Sequence, residues 1–426
     1  VGRIVVAVAA VAAMIAGTAA GPASGPDAAH PAVGSTPGVV WGGCPDDVAE
    51  PGPRCGTPAV PVDHARPDGP ATTLGPSLAA ATGGAARRGT IVVNPGGPGG
   101  GGMWLAGLVR RALPERVRQS YDIVGVDRRG DPISCVDASF DRVPRPDPVP
   151  ATARDEERLV ERARTHARGR AERAGDLLPH PGTLENARDP DLVRAALGRS
   201  KLSFIGWSYG PCLGAVHGQS FPERVDRMIP DNIVDPRPDQ VWYGSNLRQD
   251  IAFQGRRRDF LDASGADPDP ILTRVLAAAR TRALADAVGP AELYDLAART
   301  LYNSRTRPDF AARAVDASAP LTAWSDTWPN APCALRPVPA RTPTRIDGHD
   351  LPPVPLIQGT RDPATPPAGA NAPHDALPSS HLITVLGEGD HGILAFQPDD
   401  CVPAAAAAYP TDGTLSAGRD TTCEAS

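Results

Sequence analysis

KLSFIGWSYGPCLG, residues 201–214, is the stretch on which the reading of this chain turns. Leu202 to Ile205 is a short apolar run of strand character, and just beyond it Ser208 stands between Gly206 and Gly210. A serine at the tip of a strand, flanked by residues that tolerate tight backbone, is either a turn residue or a nucleophile. Its surroundings decide.

Outward from this stretch, short apolar runs recur: TIVVN (90–94), DIVGVD (122–127), RMIPDNI (227–233), VPLIQGT (354–360) and HLITVLG (381–387). Helical patterns lie among them, such as MWLAGLVRRAL (103–113) and ARDPDLVRAALG (187–198). Short apolar strands alternating with helices predict parallel β-α-β units, hence an α/β fold with a doubly wound, mostly parallel sheet. PAVPVDHARP (58–67) and the run at 73–82 read as an antiparallel pair leading into that sheet. Two stretches break the alternation. Residues 140–180 are Pro-rich, then strongly charged and helical; residues 237–345 are mostly helical and long enough to form an inserted subdomain. The core therefore divides into a first part over 44–236 and a second over 346–426.

In open parallel sheets, ligands and reactive groups sit beyond the carboxyl ends of the strands. Ser208 follows LSFIGW, Asp362 follows VPLIQGT, and His391 follows HLITVLG, whereas His381 and Asp350 precede those strands and fall at the wrong end. A serine hydroxyl is a poor nucleophile until a neutral imidazole takes its proton. The imidazolium so formed needs a carboxylate to hold it. The order Ser, Asp, His is that of α/β-hydrolases, in which a tight strand-to-helix turn exposes the hydroxyl. NPGGPGGGGMW, residues 94–104, supplies a second element. A Gly-rich turn entering a helix offers a backbone N–H at Gly97, which with the N–H of Tyr209 would form an oxyanion hole. The rival reading, a phosphate-binding loop, lacks the Lys-Ser/Thr terminus. Taken singly, Asp362 reads equally as a turn residue and His391 as a surface residue. Together, strand-end placement and order favour a catalytic set.

Composition narrows the partners. The net charge is −6, with no basic cluster, so no nucleic-acid partner is expected. Residues 1–20 read as a secretory signal: Arg3, an apolar run from Ile4 to about Ala16, then small residues to Ala20. A membrane anchor is the alternative, but a bilayer span needs roughly 20 apolar residues. A secreted protein with no stable membrane association after leader removal is therefore expected, with residues 21–43 as a linker. Of seven cysteines, Cys44 with Cys55 and Cys401 with Cys423 are near enough in sequence to close surface loops. Cys135 and Cys333 have no obvious partner, and Cys212 reads as a small buried hydrophobe. No metal-ligand spacing occurs, and no cofactor is expected.

At these motifs the chain resembles the secreted tripeptidyl aminopeptidase group of serine peptidases, related to prolyl aminopeptidases. The resemblance rests on NPGGPGG, DIVGVDRRG, ARDPDLVRAALG…LSFIGWSYG, FPERVDRMIPD…VDP, GTRDPATP and YPTDGTLSAGRDTTC, in that order. It implies an α/β-hydrolase fold, Ser208 as nucleophile, Asp362 as acid, His391 as base, and a helical cap at about 237–345. The chain departs from the pattern at Arg128, at the glycines 101–102, at Pro211, and at Pro230 and Asn232, where the strand is expected to be locally distorted. The expected activity is removal of short N-terminal peptides through an acyl-enzyme on Ser208. A peptide with a free amino terminus needs a carboxylate from the cap, for which Asp262, Asp295, Asp309 and Asp326 are candidates. An esterase using the same triad is the alternative, and a non-catalytic binding protein a further one.

Overall fold

A computed structural model describes residues 39–425, apart from 47, 49–51, 85–86, 131–135, 138, 265–268, 303–331, 333–334, 336–337, 339–342, 349–350, 398–400, 407–408 and 416–417. The segments read as leader and most of the linker, together with Cys135 and Cys333, lie outside the described residues. The chain divides into two compact units. One contains residues 29–132, 176–245 and 340–426; the other contains 133–175 and 246–339.

The larger unit is built on a sheet. Its strands are β1 (Trp41–Gly42), β2 (Arg54–Gly56), β5 (Pro76–Ala79), β6 (Gly89–Asn94), β7 (Tyr121–Val126) and β8 (Leu202–Ser208). They continue with β9 (Val225–Ile233), β10 (Val354–Gly359), β11 (Ser380–Leu386) and β12 (Asp420–Glu424). The spatial order is β1-β2-β5-β7-β6-β8-β9-β10-β11-β12. From β7 to β12 every neighbouring pair is parallel, and β1, β2 and β5 form an antiparallel edge. The six sequence-read strands all appear, shifted by one or two residues at their ends.

The amino-terminal expectations need correction. Residues 59–61 (β3) pair antiparallel with 71–73 (β4) in a separate two-stranded sheet, while β5, from the run at 73–82, joins the main one. The stretch read as linker to residue 43 already pairs at Trp41–Gly42 with Gly56 and Cys55.

Side chains of the parallel strands alternate between two cores. Ile91, Val93, Ile123, Ile205, Ile229, Ile357 and Ile383 pack on one face with Leu105, Val109 and Tyr409. Val92, Val124, Phe204, Met228 and Leu356 pack on the other with Val193 and Ala370. Burial of both faces is why these strands read as continuous apolar runs instead of alternating ones. Disulfides Cys44–Cys55 and Cys401–Cys423 form as expected. Among the described residues Cys212 is the free cysteine; burial pushes its thiol up to about 12.

In the smaller unit the charged helix Ala153–Ala174 begins at a capping box, in which Thr152 and Asp155 each accept the other's backbone N–H. Arg145 binds Glu292 at 2.9 Å and Asp295 at 2.5 Å, and Arg280 binds Asp147 at 2.6 Å. These pairs tie the 145–147 segment to the helices Asp269–Thr281 and Pro290–Tyr302. The 133–175 segment, read from sequence as part of the core, thus belongs with 246–339.

Candidate active site

Strand β6 is followed in space by β7 on one side and β8 on the other, so the winding direction reverses between β6 and β8. A crevice opens at such a switch point, beyond the carboxyl ends of the strands. Ser208 and the loop after Asn94 both lie there, set side by side by the pairing of Asn94 with Gly206.

Ser208 has φ +62, a conformation non-glycine residues rarely adopt. The tightness has a visible cause. A β-carbon on Gly206 would stand 2.7 Å from the Gly210 carbonyl carbon, and one on Gly210 would stand 2.7 Å from the Asn94 carbonyl oxygen. Both glycines of the elbow are therefore required by close approach. Helix Gly210–Ser220 starts at once and carries Pro211 in its first turn, where a missing N–H costs little.

The Gly-rich loop presses on this turn. Gly96 donates its N–H to Asn94 Oδ1 at 2.9 Å, and Gly96 and Gly97 have φ of +86 and +111. Neither the Gly97 N–H nor the Tyr209 N–H has an acceptor among the described residues. Farther along, β-carbons on Gly101 and Gly102 would meet Asp127 Oδ1 at 2.8 Å and the Val126 carbonyl at 2.6 Å, so a serine at either position would force a shift. Asp127 in turn accepts the Met103 N–H at 2.8 Å, holding the loop's end.

Asp362 is 1% exposed. Its Oδ2 accepts from His391 Nδ1 at 2.9 Å, Thr365 Oγ1 at 2.5 Å and Asn232 Nδ2 at 2.6 Å, and its Oδ1 accepts from the Ala364 N–H at 2.8 Å. Burial lowers the affinity of His391 for a proton, but the charge and hydrogen bond of Asp362, aided by Asp231, prevail and raise its pKa. The segment after His391 is anchored beside the elbow. Asp231 accepts the Ile393 and Leu394 N–H groups at 3.0 and 2.6 Å, and Trp207 Nε1 donates to the Leu394 carbonyl at 3.1 Å. Gly392 packs on the same indole, where a β-carbon would stand 3.3 Å from Cδ1. His381, by contrast, is the second residue of β11 and binds the Gly418 carbonyl, at the opposite end.

Sequence reasoning missed Asp231, Asn232 and Thr365. Asn232 was legible only as a polar intruder in an apolar run, and Asp231 as its neighbour. Of the carboxylates suggested for amine recognition, Asp295 is engaged by Arg145. The side chain of Asp262, and Asp309 and Asp326 altogether, lie outside the described residues.

A family model described as TAP-like protein matches residues 319–423, the stretch that holds Asp362 and His391. The tripeptidyl aminopeptidase of Streptomyces lividans is 35% identical over 467 residues, covering 91% of this chain and 86% of that protein. This chain belongs to the tripeptidyl aminopeptidase family. Within the same set of relatives, serine protease Hip1 of Mycobacterium tuberculosis is 31% identical, covering 85% of this chain and 86% of its own. Carboxylesterase B of the same species is 29% identical over 54% of this chain and 47% of its own length. The family's α/β-hydrolase fold is the one built here: parallel strands, a glycine-flanked serine at the switch point, and a carboxylate–imidazole pair two and three strands away.

Proposed function

We propose that this member of the family is an exported serine aminopeptidase that removes short peptides from free amino termini. The observation that carries the reading is the 2.9 Å bond from His391 Nδ1 to Asp362, in a segment pinned to Trp207, the residue before Ser208. In this reading His391 takes the Ser208 proton as Oγ attacks the scissile carbonyl, and Asp362 holds the imidazolium. The Gly97 and Tyr209 amides receive the oxyanion. The imidazolium then protonates the leaving amine, and a water activated by the same ring hydrolyses the acyl-enzyme. Two disulfides among the described residues support an oxidising, exported setting. Among those residues no helix is long and apolar enough to cross a membrane.

Ser208→Ala is expected to abolish both p-nitroanilide release from tripeptide substrates and labelling by a fluorophosphonate. Retained turnover in that variant removes the assignment. Esters react by the same chemistry, so free and N-acetylated peptides are to be compared with short acyl esters. Loss of activity on acetylation marks an aminopeptidase; preference for the esters, indifferent to the amine, marks an esterase.

A further inference from the structure

The pairing of β8 with β9 slips in register twice, once near the start of β9 and again at the residue facing the nucleophile candidate. Trp207 pairs with Asp231 and Ser208 pairs with Ile233, so Asn232 is the extra residue of a bulge facing the nucleophile's strand. It has φ +50 and no exposed surface. Asparagine is one of the few side chains that tolerates this conformation, and a bulge re-aims the residue it carries.

The side chain so aimed spans two loops. Its Nδ2 donates to Asp362 Oδ2 at 2.6 Å and to the Asp390 carbonyl at 3.3 Å, and its Oδ1 accepts the Gly359 N–H at 3.4 Å. Gly359 ends β10, Asp362 follows it, and Asp390 immediately precedes His391. One buried amide thus ties the loop bearing the acid to the loop bearing the base. The sequence reading saw only a distorted strand at this point.

We propose that Asn232 is a positioning residue of the catalytic site, using a bulge in β9 to fix Asp362 and the His391 loop relative to each other. The proposal rests on the triad reading above. Its chemical content lies at Asp362 Oδ2, which the amide of Asn232 shares with His391 and Thr365. Removing the amide leaves the carboxylate charge less shared, so its hold on the imidazolium strengthens while its orientation loosens. Among the described residues, the charged groups acting on His391 include Asp362 from the β10 loop and Asp231 from β9. Asp390, its chain neighbour, accepts from Gln397 at 3.1 Å.

The test uses the full-length protein with Asn232→Gly and Asn232→Asp. Glycine keeps the left-handed backbone without strain and deletes the amide; aspartate keeps the shape and replaces the donor with a second carboxylate. The expected result is a kcat lower by roughly threefold to tenfold with KM unchanged, since misplacement of a catalytic group acts on the chemical step. The acid limb of kcat/KM should move to higher pH in the glycine variant and farther in the aspartate variant. A purely structural residue would change the melting temperature and leave the limb in place. Superposable pH profiles and equal kcat for wild type and Asn232→Gly overturn the proposal. If the glycine variant does not fold, an unshifted limb in Asn232→Asp overturns it equally. A wild-type protein that fails to label at Ser208 overturns the triad reading and this inference with it, whereas labelling with unshifted limbs overturns the inference alone.

Discussion

Gly96 stands against the turn at Ser208 so closely that a β-carbon on it would lie 2.7 Å from the Tyr209 nitrogen and 2.8 Å from Ser208 Cβ. The Gly-rich loop and the strand-to-helix turn are therefore one rigid contact.

Gly96→Ala should displace the amide donors directly. A loss of about 10²-fold or more in kcat is expected, the scale of deleting one oxyanion donor. Gly84→Ala is the control, because Gly84 shares the positive φ (+55) but has nothing within 4 Å. It should lose stability from backbone strain while keeping kcat. Equal kcat losses in the two variants would remove the contact argument.

Asp362→Asn tests the proposed role of Asp362 as the acid that holds His391. In the wild type, burial opposes protonation of His391, but Asp362 and Asp231 raise its pKa, so activity should rise through an inflection above the ordinary imidazole value of about 6.5. Loss of the carboxylate charge lets burial prevail, moving the inflection down, while kcat falls by about 10⁴-fold. The sign for stability is opposite to that for activity. A histidine with a raised folded-state pKa contributes stability below its unfolded value, and that contribution is lost as pH climbs through the raised value. A pH–rate profile whose inflection is unmoved in Asp362→Asn contradicts the pairing.

Asp231 is fully buried, and burial pushes its pKa up to about 7 despite the hydrogen bonds from Leu394 and Ile393. Between the ordinary carboxylate value of about 3.9 and that raised value, the folded chain holds a proton the unfolded chain has released, so this group's contribution to stability falls as pH rises. Asparagine removes the titration and keeps an acceptor for the two amides. The melting temperature of Asp231→Asn relative to wild type should therefore climb with pH across this window, and the acid limb of activity should drop slightly as a negative charge leaves His391. A melting difference that is flat with pH would count against the assignment.

The Cys401–Cys423 bridge joins the helix Cys401–Ala406 to β12 across 22 residues. Closing a loop of that length is worth about 3 kcal/mol through the unfolded chain. A Cys401→Ser/Cys423→Ser variant should lose stability on that order in urea titrations. The bridge touches β11 only through its edge neighbour β12, where Cys423 pairs with Val385, while Asp362 is held by contacts to Asn232, Thr365 and Ala364, so kcat below the transition should be close to wild type. A collapse of kcat without loss of stability would place the bridge in the site instead.

How much of this was legible depended on what each residue contacts. The central strands were readable because both faces are buried, leaving unbroken apolar runs. Ser208, Asp362 and His391, the set proposed to be catalytic, could be singled out because strand ends in a parallel sheet share one edge. Strands β1 to β4, each two or three residues long, are too short for any periodicity to register. Helix Ala153–Ala174 buries only Leu159, Ala163 and Ala167, a narrow stripe among charges, and its unit is tied by pairs such as Arg145–Glu292 that are 147 residues apart. At Pro230 and Asn232 the sequence showed that the strand would distort, but the partners of the Asn232 amide escaped because they come from segments more than 100 residues away.

The order of the segments along the chain has one further consequence. In the proposed reading, a polypeptide folded only as far as β9 already holds Ser208 and its neighbouring amides, yet the carboxylate and imidazole that would activate it come only after β10 and β11. On that reading reactivity waits for those two strands, and a chain cut short before them carries an unactivated hydroxyl.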